Sequence, residues 1–426
     1  MAVYRSIVAV ALIASCPGWP TAAVGDDPGV MPSTHRQTAI IKVVSDEVRD
    51  EKLTTFALDR DGRIIAGVAG ASQLVRVFDP DGQFVADWSL PMAPEAIHAA
   101  ADGTIIVGGE GRLIRLSADG TLQDDKPSAQ AAGARAAART IHATTLERKA
   151  AQLKAAAAKK LALLEKRRAS IEEKIEALAD DDKAAETPTA KKAVDRRRTS
   201  YKRMLAAVTR MIAVASAPAE VARPTAADTQ REIDGLVASQ LQIMSISSTP
   251  KEVYVACRSG TGHGFDVWRT DPDFRGGKQI IESLRGCCGQ MDVQANSNGV
   301  YVAENTRHRV RVFSRNGQPV GEFGSRDRAA PEGFDGCCNP MNVAFGPNAT
   351  VYTSEAGSGR IKRFSSAGEF VELVGKVELV PGCKKVSIAV GPDGDSVYML
   401  DITRGHIVRM EAAAQSTAAA IATPGP

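Results

Sequence analysis

This 426-residue chain predicts an all-β fold, a six-bladed propeller broken once by an α-helical hairpin between blades two and three. Three observations carry that expectation. Short β-rich runs separated by Gly, Asp and Asn turns recur in units of roughly 40–50 residues, the length of a four-stranded blade. The last unit holds only three strands, while a strand-like segment at 39–44 stands unpaired near the start, so the two ends can close one ring. Between the second and third units the composition shifts to Ala, Lys, Glu, Arg and Leu, nearly free of Gly and aromatics, which is the composition of long helices.

Residues 1–23 read as an export signal. Arg5 supplies a positive end, 6–15 is an apolar run too short to span a bilayer, and Thr21-Ala22-Ala23 offers the small residues that cleavage needs. A second reading takes Ile13-Ala14-Ser15-Cys16 as a lipobox, with Cys16 carrying a lipid anchor. Both make the protein exported, periplasmic or at the cell envelope, and no later stretch is apolar enough to be a transmembrane span. A net charge of +3 and 5% aromatic residues argue against nucleic acid as a partner, because neither a basic domain nor a base-stacking surface is present.

Residues 38–127 hold the closing strand and blades one and two. Blade one reads as strands at 54–58, 63–68, 74–78 and 83–88, with turns at Asp61-Gly62 and Asp81-Gly82; blade two turns at Asp102-Gly103 and Asp119-Gly120. Residues 128–235 form the insertion. Leu161, Leu164, Arg168, Ile171, Ile175 and Leu178 fall at three- and four-residue steps, as do Tyr201, Leu205, Val208, Ile212 and Ala215, on either side of the breaker Glu186-Thr187-Pro188-Thr189. An antiparallel hairpin follows, its first helix roughly 60 Å long. It is either a solvated strut or an arm for self-association or a protein partner. Blades three to six occupy 236–411, and 412–426 is an Ala/Thr/Pro tail expected to be disordered.

One motif occurs twice, Gly286-Cys287-Cys288-Gly289-Gln290-Met291-Asp292-Val293 and Gly336-Cys337-Cys338-Asn339-Pro340-Met341-Asn342-Val343, with a degenerate third copy at Gly382-Cys383-Lys384-Lys385-Val386. Aligning the blades on Tyr254, Tyr301, Tyr352 and Tyr398 puts Cys288, Cys338 and Cys383 in one column. Cys287 and Cys337 precede it, and Cys257, Glu304, Glu355 and Asp401 form another column just after the aligned strand. In a blade the innermost strand starts on the face where the second strand ends, so Cys257, Cys287, Cys288, Cys337, Cys338 and Cys383 are expected on one face around the channel. Thiolates suit copper(I), zinc or an iron-sulfur cluster, and the thioethers of Met291 and Met341 favour copper(I). Glu304, Glu355, Asp401 and His308 would surround such a centre, their plainer role being to tie down turns. An even number of cysteines in an oxidising compartment equally suits disulfides, either between blades or as reducible vicinal rings, and thiol redox catalysis is a third reading.

The sequence Pro340-Met341-Asn342-Val343-Ala344, the strand Tyr301-Val302-Ala303-Glu304, and the segments Arg309-Val310-Arg311-Val312-Phe313 and Arg360-Ile361-Lys362-Arg363-Phe364 resemble the NHL repeat family. The resemblance is good over blades four and five, fair in six and weak in one to three. It implies the propeller fold and leaves function open, since such propellers host binders and enzymes alike. The His or Asn/Asp ligand sets of propeller lyases and hydrolases are not recognisable. Phosphate-loop, Gly-x-Ser-x-Gly and His-Glu-x-x-His motifs are absent.

Overall fold

The structure, a computed structural model, describes residues 31–413 apart from 46, 47, 49, 217–223, 288, 337, 381 and 383. The expected export signal and nearly all of the tail lie outside the described residues. Among the described residues, twenty-four strands form six separate four-stranded antiparallel sheets. The innermost strands are Glu51–Leu58, Ala96–Ala99, Ile243–Thr249, Asp292–Asn296, Asn342–Phe345 and Ile388–Val390. Each packs against the innermost strands of both neighbouring blades, the last against the first, so the ring closes. The protein is a six-bladed β-propeller.

Burial follows position within the blade. Second strands such as Ile105–Gly109 and Gly299–Glu304 are buried at every residue, because each lies between two neighbouring blades. Outermost strands such as Pro319–Phe323 are mostly exposed. The core therefore lies between blades; Tyr254 and Ala256 of blade three, for example, pack with Met291 and Val293 of blade four. The Asn316-Gly317 turn requires its glycine: φ is +83°, and a Cβ there would sit 1.8 Å from the Ile280 carbonyl oxygen of blade three.

Blade six is completed by His35–Lys42, which runs antiparallel to His406–Ala412 from the His35–Ala412 pair to the Lys42–His406 pair. One irregularity, between Gln37 and Ala39, interrupts the register. The segment expected at 39–44 is thus the outer strand of the sheet made by the C-terminal end of the chain.

The insertion between blades two and three contains α1 (Ala134–Ala184), α2 (Pro188–Ala215) and α3 (Ala226–Leu241). Arg139–Asp234 forms a compact unit separate from the propeller unit, Met1–Ala138 with Gly235–Pro426. At 51 residues, α1 is roughly 75 Å long, longer than expected because its alanine-rich start has no breaker. Leu164, Ile171 and Leu178 of α1 and Val194 and Val208 of α2 are buried, as the seams require. Arg198 of α2 pairs with Asp182 of α1 at 3.0 Å beside the turn, and Thr187 caps α2 by accepting the Ala190 N–H at 3.2 Å, with Pro188 in its first turn. The third helix is an addition to the expected hairpin. Its signal was a capping box: Thr225 Oγ1 accepts the Asp228 N–H at 3.1 Å, and Asp228 Oδ2 accepts the Thr225 N–H at 3.3 Å.

Candidate functional site

Each cysteine loop joins the outermost strand of one blade to the innermost strand of the next: 285–291 follows Lys278–Leu284, 324–341 follows Pro319–Phe323, and 377–387 follows Phe370–Lys376. These loops lie on the face where the second-to-third-strand turns also end, and hydrogen bonds join the two. Glu304 Oε1 accepts the N–H of Arg285, and Glu355 Oε2 accepts the N–H of Asp335, each donor standing just before its Gly-Cys-Cys sequence, at 3.1 Å in both blades. Asn305 Oδ1 accepts the Cys287 N–H at 2.8 Å, and His308 Nε2 lies 3.0 Å from the Gly336 carbonyl oxygen. The carboxylates are neutralised in the turns themselves. Arg309 reaches Glu304 at 2.6 Å, Arg360 reaches Glu355 at 2.8 Å, and Arg404 reaches Asp401 at 3.0 Å. Glu304, Glu355 and His308 therefore position the cysteine loops, whereas Asp401 accepts from Thr403 and Arg404 within its own turn.

Of the three described cysteines, two lie at one hydrophobic cluster. Cys338 is buried in a cluster with Met341, Ala356 and Val386, and Cys287 of the preceding blade packs against that cluster. Cys288, Cys337 and Cys383 lie outside the described residues. Cys257 does not join the cluster. It shares a strand face with Val253 and Val255, which pack toward blade two, while Cys287 follows blade three on its other side. The free Cys257 thiol lies 3.8 Å from the Asp266 carbonyl oxygen, and burial pushes its pKa up, so it stays protonated. Met291 and Met341 are fully buried; the sulfur of Met341 accepts from Asn305 Nδ2 at 3.4 Å. Among the described residues no three His, Cys, Asp or Glu side chains gather as a metal site.

The channel holds groups that sequence reasoning missed. A cavity of about 240 Å³ is lined by the innermost strands. Their side chains stitch one blade to the next: Ser245 accepts from Val293 N–H at 2.8 Å, Asp292 from Val343 N–H at 2.7 Å, and Asn342 from Ile388 N–H at 2.8 Å. At the mouth, Lys385 Nζ donates to the Glu95 carbonyl oxygen at 2.7 Å, while the Gln290 amide donates to the Val386 carbonyl at 2.7 Å and accepts its N–H at 3.3 Å. Blades two and four are thereby clasped to the segment entering blade six. Burial drives the titrations here: Asp292 is raised to about 6, Lys385 lowered to about 8 despite its neighbours Glu95 and Asp292, and His98 lowered to about 4. His98 is accordingly a neutral acceptor for the Ser248 N–H, at 3.1 Å. A signal for this layer was present in the polar residue that follows each aligned apolar position, namely Ser245, Asp292, Asn342 and Ser387.

No protein-family model matches the chain, and no curated protein matches it in sequence. Among solved structures it is similar to a streptogramin B lyase, at 11% identity and a TM-score of 0.44 over 88% of this chain and 97% of that one. It is also similar to the WD40 domain of Pan2 from Neurospora crassa, at 10% identity and 0.43 over 91% and 98%. A gluconolactonase from Xanthomonas campestris is similar at 8% identity and 0.40 over 89% and 99%.

Proposed function

We propose that this propeller is exported and carries a cysteine-rich metal or redox centre on its two Gly-Cys-Cys loops, with Cys383 as a further contributor, for electron transfer or metal handling. One observation supports the reading above the others. Cys338 is buried beside Met341, Cys287 of the preceding loop packs against the same cluster, and both loops are held by a glutamate-to-backbone bond of the same kind. Soft sulfur donors of this kind suit copper(I), zinc or an iron-sulfur cluster. Cys257, a protonated core thiol, falls outside the proposed centre.

Metal analysis with a free-thiol count on protein exported and purified without chelators tests this. The expected result is stoichiometric copper, zinc or iron that is lost in Cys287→Ser and in Cys338→Ser. Metal-free protein with the loop sulfurs oxidised would retire the centre and support a ligand-binding scaffold with structural disulfides instead.

The helical unit is proposed as an assembly arm, because Leu153, Leu163, Met211 and Val214 are exposed apolar side chains on α1 and α2. Replacing residues 139–234 by a short Gly/Ser linker is expected to leave a folded propeller of lower oligomeric state. Light scattering that finds the same number of copies per particle with and without the arm would remove this role.

A further inference from the structure

A second cavity, of about 300 Å³, lies outside the channel, between blade three and the short turn Ala129–Gly133 that follows blade two. Gln130, Arg258, Thr261, Asp266, Trp268 and Gln279 line it. Gln130 is only 8% exposed, and neither its amide nitrogen nor its amide oxygen has a hydrogen-bond partner among the described residues. Buried amides are nearly always paired in native proteins, so one left with both functions open marks a place where something else supplies the partners. The turn that carries it is pinned. Ser128 donates to the Gly111 carbonyl through both its N–H and its hydroxyl, at 2.8 Å each, and a Cβ on Gly277 of blade three would meet Ala129 at 2.3 Å. The channel mouth is different in kind, since Lys385 and Gln290 there already bond to neighbouring backbone.

We propose that this cavity binds a neutral, polyhydroxylated ligand about the size of one sugar ring. Turned toward the cavity, the Gln130 amide, shut off from solvent in this structure, offers a donor and an acceptor side by side, the complement of two adjacent hydroxyl groups. Trp268 supplies a flat apolar wall of the kind that takes the C–H face of a ring. Arg258 is the cation of the lining, which also holds the carboxyls of Asp266 and Glu282, so the cavity has no positive excess to hold a phosphate or sulfate. Asp266 is itself committed on one side, accepting the Ser283 N–H at 3.0 Å, and burial raises its pKa, which suits contact with hydroxyl groups better than with ions. The volume of about 300 Å³ is enough for a single ring.

Calorimetric titration of the full-length protein with D-glucose, D-galactose and D-mannose, each up to about 50 mM, tests the proposal. Saturable binding of at least one sugar is expected, weakened at least about tenfold by Gln130→Leu, which keeps the side chain's bulk and relieves an unpaired amide. Gln279→Leu serves as a second variant on the opposite wall, and the melting temperature of each variant reports its folding. Absence of binding by all three sugars would overturn the proposal, as would binding unchanged in folded Gln130→Leu, or binding of uracil or inorganic phosphate in place of a sugar.

Discussion

Replacing Glu355 by alanine is expected to cost about 3–5 kcal/mol of stability, the penalty of breaking a buried ion pair from one side. Glu355 has no exposed surface, and Lys362 behind it is 1% exposed. Lys362 Nζ lies 3.3 Å from Glu355 Oε1, an ion contact, and donates to the Gly333 carbonyl; it stands 5.3 Å from the centre of the Phe334 ring. Burial already lowers the lysine's pKa, and Glu355 offsets part of that effect. Without the carboxylate, Lys362 must neutralise or remain a buried unpaired charge, and the Asp335 N–H ahead of the second cysteine loop loses its acceptor. Urea unfolding would read the loss. The double variant Glu355→Ala, Lys362→Met should recover a large part of it, since the buried lysine charge is gone and the partner that remains, Arg360, is partly exposed. A single-variant loss below about 1 kcal/mol would show that the pair is not structural in the way its burial implies.

Asp292→Asn is expected to gain stability relative to the wild type by about 3 kcal/mol between about pH 4 and about pH 7. Burial raises the Asp292 carboxyl from its ordinary 3.8 to about 6. The folded protein therefore holds this proton more tightly than the unfolded chain does. The stability it contributes is complete below about pH 4 and is lost as pH rises through about 6, whereas asparagine cannot titrate. Lys385 runs the other way. Its pKa is depressed from 10.5 to about 8, so its contribution is present above the unfolded value and is lost as pH falls through about 8. The two together leave the mouth least favourable between about pH 6 and about pH 8, where both are charged. Unfolding curves for wild type and variant at several pH values test this; a difference that stays constant from pH 4 to pH 7 would contradict it.

The strands were legible wherever alternation and turn chemistry agree. The segment expected at 74–78 is Leu74–Phe78, and that at 83–88 is Phe84–Ser89. The innermost strand of blade six begins only at Ile388, because the backbone of Val386 bonds to the Gln290 amide and not to a neighbouring strand. The third helix was hidden by a mixed composition that only its capping box contradicts. Of the candidate site, the shared face of the cysteine loops and the acidic turns could be deduced from meander geometry. The opposite orientation of Cys257 could also have been deduced from the alternation of Val253, Val255 and Cys257, but column alignment alone does not record which way a side chain points. Lys385 and Glu95 were missed for another reason: buried charges of this kind follow no period, and their pairing crosses blades far apart in sequence.

The closing strand pair also has a mechanical consequence. His35 lies opposite Ala412, so the two free ends of the pair emerge at the same end of the blade. A force pulling the termini apart loads the hydrogen bonds of this antiparallel pair one after another, as in opening a zipper, and not all at once as in shear. The ring should therefore yield first at this seam, at low force. Its blades would then be released in order from both ends of the chain.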